Sequence, residues 1–167
     1  QNVPLAYAKG LWWPYLKAIG SYVCPTDRKS KYYPQRANKL CSYVMDGAVC
    51  EFGRLPKNAN APEGPSNPTS VKITAAWSSQ CYVMWEPDEN LIKNGQPVGA
   101  FAYNDAASFP SSDPTYGEGI GHLHGSGATI LALDGHVPFM KFITYQNEQS
   151  IPIKNLLWWA PDTANGR

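Results

Sequence analysis

Residues 128–143, ATILALDGHVPFMKFI, place an apolar run, the dipeptide Asp134-Gly135 and a second apolar run end to end. Few backbone arrangements satisfy that order. Aspartate tolerates, and glycine favours, the positive backbone angles of a two-residue hairpin turn, so the runs are expected to pair as antiparallel strands, Ala128–Leu133 and His136–Ile143. The stretch LCSYVMDGAVCEFG, 40–53, repeats the arrangement about Asp46-Gly47. QCYVMWEP, 80–87, reads as a buried strand running into Glu86, Asp88 and Glu89, and Asn94-Gly95 marks a further turn. VKITAAW, 71–77, fits a strand or a short helix, and its alternation favours the strand. Fifteen prolines and fourteen glycines, with ten tyrosines and six tryptophans against three methionines, favour a turn-rich, largely β chain over a helical bundle.

Helical spacing is confined to the N-terminal end. Leu11, Tyr15, Leu16 and Ile19 recur on one helical face, Pro14 fits a first turn, and Gly20 supplies a stop. These cues predict a short helix over 12–19. Residues 54–70, RLPKNANAPEGPSNPTS, hold four prolines and little apolar character, which predicts a surface excursion. Residues 90–121 read as mostly loop. The 167 residues are expected to form one domain, 1–167, with a real core.

Charge narrows the partners. The formal net charge is +1, and the densest basic stretch, Arg28-Lys29-Ser30-Lys31, reads as a solvated loop, so no nucleic-acid surface is expected. No signal peptide or apolar run of membrane-spanning length is present, so no membrane span is expected; an exported chain would have lost its signal. Cys24, Cys41, Cys50 and Cys81 lack the spacing of a zinc module and form no Cys-x-x-Cys pair. An even count with irregular spacing fits two disulfides in an oxidising compartment. Three connectivities are open, with the sequential Cys24–Cys41 and Cys50–Cys81 the simplest; buried free thiols are the alternative.

All three histidines, His122, His124 and His136, lie within fifteen residues and beside Asp134. A structural reading has Asp134 accept a hydrogen bond from the His124 imidazole and pin its loop to the hairpin, with Gly125 and Gly127 allowing close approach. A metal reading places His122 and His124 on one strand face, where Asp134 or His136 completes a zinc site. Catalysis has the least support. HGSGA, 124–128, lacks the spacing of a nucleophile elbow, and nothing singles out Glu86 and Asp105 as a glycosidase pair. The chain is not expected to be an enzyme. The pairs Trp12-Trp13 and Trp158-Trp159 are candidate interface residues, because both members of an adjacent pair on a strand cannot face one core.

Nine residues separate His124 from Asp134-Gly135, and His136-Val137 follows. LHGSGATILALDGHV, 123–137, resembles the signature of the prepilin-type processing-associated His-X9-Asp-Gly domain of bacterial pseudopilin-like proteins. LWWPYLKAIGSYVCPTDR, CSYVMDGAV and CYVMWEPDEN are similar, in the same order, to that family's upstream segments. The resemblance implies a pseudopilin-like α+β fold: a short N-terminal helix on an antiparallel β-sheet, with long Pro/Gly-rich loops and a C-terminal β-hairpin. It gives His124, Asp134, Gly135 and His136 a structural role. It implies an extracellular or cell-surface structural subunit of a pilus-like or type II secretion-like filament, contacting further copies or related pilin-like subunits. Residues 1–10 would then be the remnant following the family's leader and hydrophobic helix. Pseudopilin-like domains often hold calcium in loops beside the sheet, and Glu86, Asp88 and Asp105, with Glu89, Asn104 and Glu118, offer suitable oxygen donors. The alternative is a secreted carbohydrate-binding module that stacks sugars of a polysaccharide on exposed tryptophans.

Overall fold

The computed structural model describes residues 3–36, 38–47, 72–87, 92–93, 96–97, 107–108, 110, 119–160 and 165–166. Its strands are β1 (Val44–Asp46), β2 (Tyr82–Trp85), β3 (Ile92–Lys93), β4 (Gln96–Pro97), β5 (Ala107–Ser108), β6 (Gly127–Ala132) and β7 (Phe139–Lys141). The helices are α1 (Val3–Ala8), α2 (Trp13–Leu16) and α3 (Phe142–Ser150). Five strands form one sheet in the order β5-β1-β2-β6-β7, and β3 pairs with β4 separately. The fold is α+β. The expected antiparallel sheet is mixed, because β1 pairs antiparallel with β2 but parallel with β5. That parallel pairing draws Asp46 and Gly47 into the sheet edge. Asp46 is fully buried and Gly47 N–H donates to the Ser108 carbonyl at 2.6 Å, so Asp46-Gly47 is not the expected hairpin tip. The excursion at 54–70 and the Asn94-Gly95 turn lie outside the described residues.

The C-terminal hairpin forms with a different turn. Gly135 N–H donates to the Ala132 carbonyl and Ala132 N–H to the His136 carbonyl, both at 3.0 Å. These bonds enclose a three-residue loop, Leu133-Asp134-Gly135, in which Gly135 alone has a positive φ, +86°. That is a turn closed by a glycine bulge, not a two-residue turn with two left-handed residues. Asp134 keeps ordinary backbone angles because its Oδ1 accepts the His136 N–H at 3.1 Å. The returning strand is also shorter than expected. From Phe142 onward the buried residues are Tyr145 and Gln149, four apart, and that spacing is helical. α3 therefore replaces the strand end, and Tyr145 meets Trp85 edge-on with ring centroids 6.4 Å apart.

The core lies under β2 and β6. Val44, Trp85, Ile120, Ala128, Ile130, Leu157, Trp158 and Trp159 are each no more than 1 % exposed. Ala128, Ile130 and Ala132 alternate inward along β6 while Thr129 faces out. The expectation of exposure at Trp158 and Trp159 is therefore corrected. Strand geometry would have split the pair, but residues 155–160 are not a strand. Asn155 Oδ1 accepts the backbone N–H groups of Leu157 at 2.8 Å and Trp158 at 2.6 Å, folding the tail into a tight turn. Both indoles then fall on the core side, and Trp159 Nε1–H donates to the Tyr82 carbonyl at 2.9 Å.

The N-terminal end differs from expectation in two ways. The expected helix over 12–19 is α2 alone, stopped at Lys17, which takes a left-handed conformation (φ +48°), three residues before Gly20. α2 buries none of its residues, and the helix that packs on the sheet is α3. The N-terminal segment is held instead by Tyr7, whose hydroxyl donates to the Leu40 carbonyl at 2.6 Å and whose ring lies 5.0 Å from that of Tyr22. Residues 73–75 form an exposed 3-10 turn, not the favoured strand, and among the described residues no strand pairs with them.

Candidate functional site

Three segments far apart in sequence meet at one end of β2. The first is the turn that begins at Cys24. It is fixed from below by Asp27, fully buried, which accepts Arg36 Nη1–H at 2.7 Å, Arg36 Nη2–H at 2.5 Å and the Ser42 hydroxyl at 2.6 Å. Ser42 also takes the Cys24 N–H on its hydroxyl at 2.9 Å, and its own N–H donates to the Tyr22 carbonyl. This network ties the cysteine turn to the chain entering β1. Each carboxylate oxygen of Asp27 has a donor, which a buried charge requires if it is not to destabilise the fold.

The second and third segments are locked to each other. The Glu86 carbonyl, just past β2, accepts the Gly121 N–H at 2.7 Å, and Pro87 bridges Ile120. A Cβ on Gly121 would stand 2.6 Å from the Pro87 carbonyl oxygen, so only glycine allows this approach. The chain then turns: Gly125 N–H donates to the His122 carbonyl, and Gly125 has φ +91°. At Gly127 an added Cβ would lie 1.9 Å from the Met140 carbonyl oxygen. Gly127 thus serves the close approach read from the sequence, whereas Gly125 is needed for its positive φ and not for space; together they deliver His124 above Glu86.

His124 Nε2 lies 2.8 Å from Glu86 Oε2 and 3.6 Å from Cys24 Sγ. Among the described residues this is the one gathering of three such side chains, their ligand atoms all within 4.8 Å of one another. Glu86 and Cys24 are buried, while the His124 side chain is 35 % exposed and opens the group to solvent. Burial pushes the Cys24 thiol pKa up, and the Glu86 side chain adds to the rise. Beside it the Tyr43 phenol is pushed up to about 12, first by burial and then by the neighbouring acidic side chains, Glu86 foremost.

This arrangement is not a nucleophilic relay. A cysteine–histidine–acid relay needs the acid on one ring nitrogen and the thiol on the other. Here both partners converge on Nε2, and the raised thiol pKa opposes the activated thiolate such chemistry uses.

The remaining expectations separate. The expected His124–Asp134 hydrogen bond is replaced: His124 turns to Glu86, while Asp134 Oδ1 pairs with His136 Nδ1 within the exposed hairpin loop. That contact holds the Asp134 carboxyl below its ordinary range. His122 does not share a strand face with His124, because both lie in the turn; its ring stacks on Phe142 at 3.6 Å. Cys24, Cys41 and Cys81 are unbridged in this structure, where Cys24 faces His124. Burial pushes the Cys41 thiol up and the Cys81 thiol up to about 11. Cys50, Asp88, Glu89, Asn104, Asp105 and Glu118 lie outside the described residues. Of the expected calcium donors Glu86 is thus the one described, and its neighbours are a thiol and an imidazole. Comparison with family models, with curated proteins and with solved structures finds no match.

Proposed function

We infer that this chain is an extracellular structural subunit of a pilus-like or type II secretion-like surface assembly, working through contacts with further copies of itself. The observation that supports this reading best is the number of exposed apolar side chains in residues 5–16. Leu11 is 89 % and Tyr15 83 % exposed, and Leu5, Trp12 and Leu16 are exposed beside them. Single exposed apolar residues are ordinary, but five within twelve residues of a short helical segment form a surface that association would remove from water. The resemblance of the cysteine, β1, β2 and hairpin segments to pseudopilin-like proteins points the same way. Among the described residues no helix is long and apolar enough to cross a membrane.

The test is sedimentation and electron microscopy of the protein from its native source, beside recombinant Leu11→Ser and Tyr15→Ser variants. Ordered assemblies of wild type that both variants lose, with an unchanged fold, are the expected result. Monodisperse wild-type particles at every concentration would end the reading. A carbohydrate-binding module is the second reading, favoured by the exposure of Trp12 and Trp77. It requires saturable quenching of tryptophan fluorescence by a polysaccharide, lost in Trp12→Ala or Trp77→Ala.

A further inference from the structure

The structure holds two buried carboxylates within one neighbourhood, and they are treated differently. Asp27 receives three donors from Arg36 and Ser42. Glu86, 1 % exposed, has no guanidinium or hydroxyl donor among the described residues; the Cys24 thiol and His124 Nε2, the latter 2.8 Å from Oε2, are the groups beside its oxygens. Unlike Asp27 with Arg36, a carboxylate so deeply buried beside a neutral imidazole has no permanent counter-charge. Its nearest neighbours are a thiol and an imidazole nitrogen, and these are themselves ligand atoms.

We propose that Cys24, Glu86 and His124 are three protein ligands of a zinc-class divalent cation, with a water molecule entering past His124 as the fourth. The donor set selects the metal. A thiolate with an imidazole suits zinc, whereas calcium takes oxygen donors and leaves sulfur unused. The spacing fits as well. In a zinc tetrahedron with sulfur at ~2.3 Å and nitrogen at ~2.0 Å, those two atoms stand about 3.5 Å apart. Cys24 Sγ and His124 Nε2 are 3.6 Å apart. The nitrogen–oxygen edge of the same tetrahedron is about 3.3 Å. The contact of 2.8 Å between His124 and Glu86 must therefore open by a few tenths of an ångström. Both partners already converge on one imidazole nitrogen, which is what a shared cation requires. On binding, the Cys24 thiol gives its proton to solvent, so the sulfur coordinates as thiolate. The remaining carboxylate oxygen is free to accept from the bound water. The site would close the end of β2 by joining the Cys24 turn, the strand end and the His124 turn, and it stands independently of the assembly reading.

The test uses the full chain with its thiols kept reduced, stripped with chelator and titrated with cobalt(II) and then zinc. One equivalent of cobalt is expected to bind with a thiolate-to-metal charge-transfer band and the visible bands of tetrahedral geometry, and zinc should displace it. Cys24→Ser should abolish the charge-transfer band. His124→Ala, at a partly exposed position where the fold tolerates truncation, should weaken zinc binding by more than ~10-fold, the loss that even outer-sphere changes cause at such centres. A large excess of calcium should leave the cobalt spectrum unchanged. Absence of a charge-transfer band in the wild type would overturn the proposal. So would a band that survives Cys24→Ser, or zinc affinity unaltered in His124→Ala. Mass analysis of the native protein that finds Cys24 in a disulfide would overturn it equally.

Discussion

The chain carries two adjacent tryptophan pairs, and the fold treats them in opposite ways. Trp12 is 60 % exposed and Trp13 half-buried, its ring stacked on Tyr7 and Tyr22. Trp158 and Trp159 are each 1 % exposed. The local sequences are alike: LWWP in one place and LWWA in the other. The difference lies in what turns the backbone. In the N-terminal segment Pro14 starts a helix of one turn, which spreads its side chains around the axis and ends at a left-handed Lys17. In the tail the Asn155 side chain gathers two successive N–H groups, and Glu148 Oε1 takes the Leu156 N–H at 2.6 Å. The tail is thus bound to α3 and β2 by polar groups, and its indoles have one place to go. Burial of an aromatic pair follows from how its backbone donors are satisfied, not from the aromatic residues themselves.

The largest effect is expected where the buried pair is broken. Trp158→Ala removes a fully buried indole from the centre of the core, and truncations of that kind cost about 3–5 kcal/mol. Chemical denaturation should show the midpoint falling steeply, with the variant partly unfolded at moderate temperature. A loss under about 1 kcal/mol would mean that the tail does not belong to the core.

Asn155→Ala probes the cause and not the consequence. It leaves both indoles in place but orphans the N–H groups of Leu157 and Trp158, each of which accounts for about 1–3 kcal/mol if buried without a partner. The expected outcome is a destabilisation below that of Trp158→Ala, with faster hydrogen exchange confined to residues 155–160. Asn155→Asp keeps the accepting oxygen and should recover part of the loss. Equal stability of wild type and Asn155→Ala would show that apolar burial alone folds the tail.

How far the sequence disclosed this molecule depends on whether the deciding interaction is local. The hairpin at 127–141, β2 and the turn at Gly125 follow from local pattern, and alternation and turn chemistry disclose them. The Asp134-Gly135 turn was legible as a turn but not in type, because the bond from His136 N–H to the Asp134 side chain decides it. The first two residues of α3 read as a strand end because Phe142 and Ile143 prolong an apolar run, although Ile143 is 60 % exposed. The candidate site was legible one residue at a time. His124 and Glu86 each attracted attention, and Cys24 was assigned to a disulfide. Nothing in their spacing reports that β2 lies between β1 and β6, so that the chain entering β1 brings the Cys24 turn and β6 brings His124 to Glu86. Convergence of that kind is a property of strand order, and strand order is settled by the whole core.

The smallest effect completes the comparison. Trp12→Ala removes an indole of the same size as Trp158, yet one that is already mostly in water, so its folding stability should change by no more than about 0.5 kcal/mol. The half-buried neighbour sharpens this: Trp13→Ala also removes the stacking on Tyr7, at 6.2 Å, and on Tyr22, at 6.4 Å. Such pairs contribute about 0.5–1.5 kcal/mol beyond area alone. Trp13→Ala should therefore fall between Trp12→Ala and Asn155→Ala in denaturant midpoint. The measurement must be made at low protein concentration, because any association through residues 5–16 adds stability by mass action and would enlarge the apparent cost of Trp12→Ala. A cost for Trp12→Ala that grows with protein concentration, while that for Trp158→Ala stays fixed, would separate an indole that serves a surface from one that serves the core.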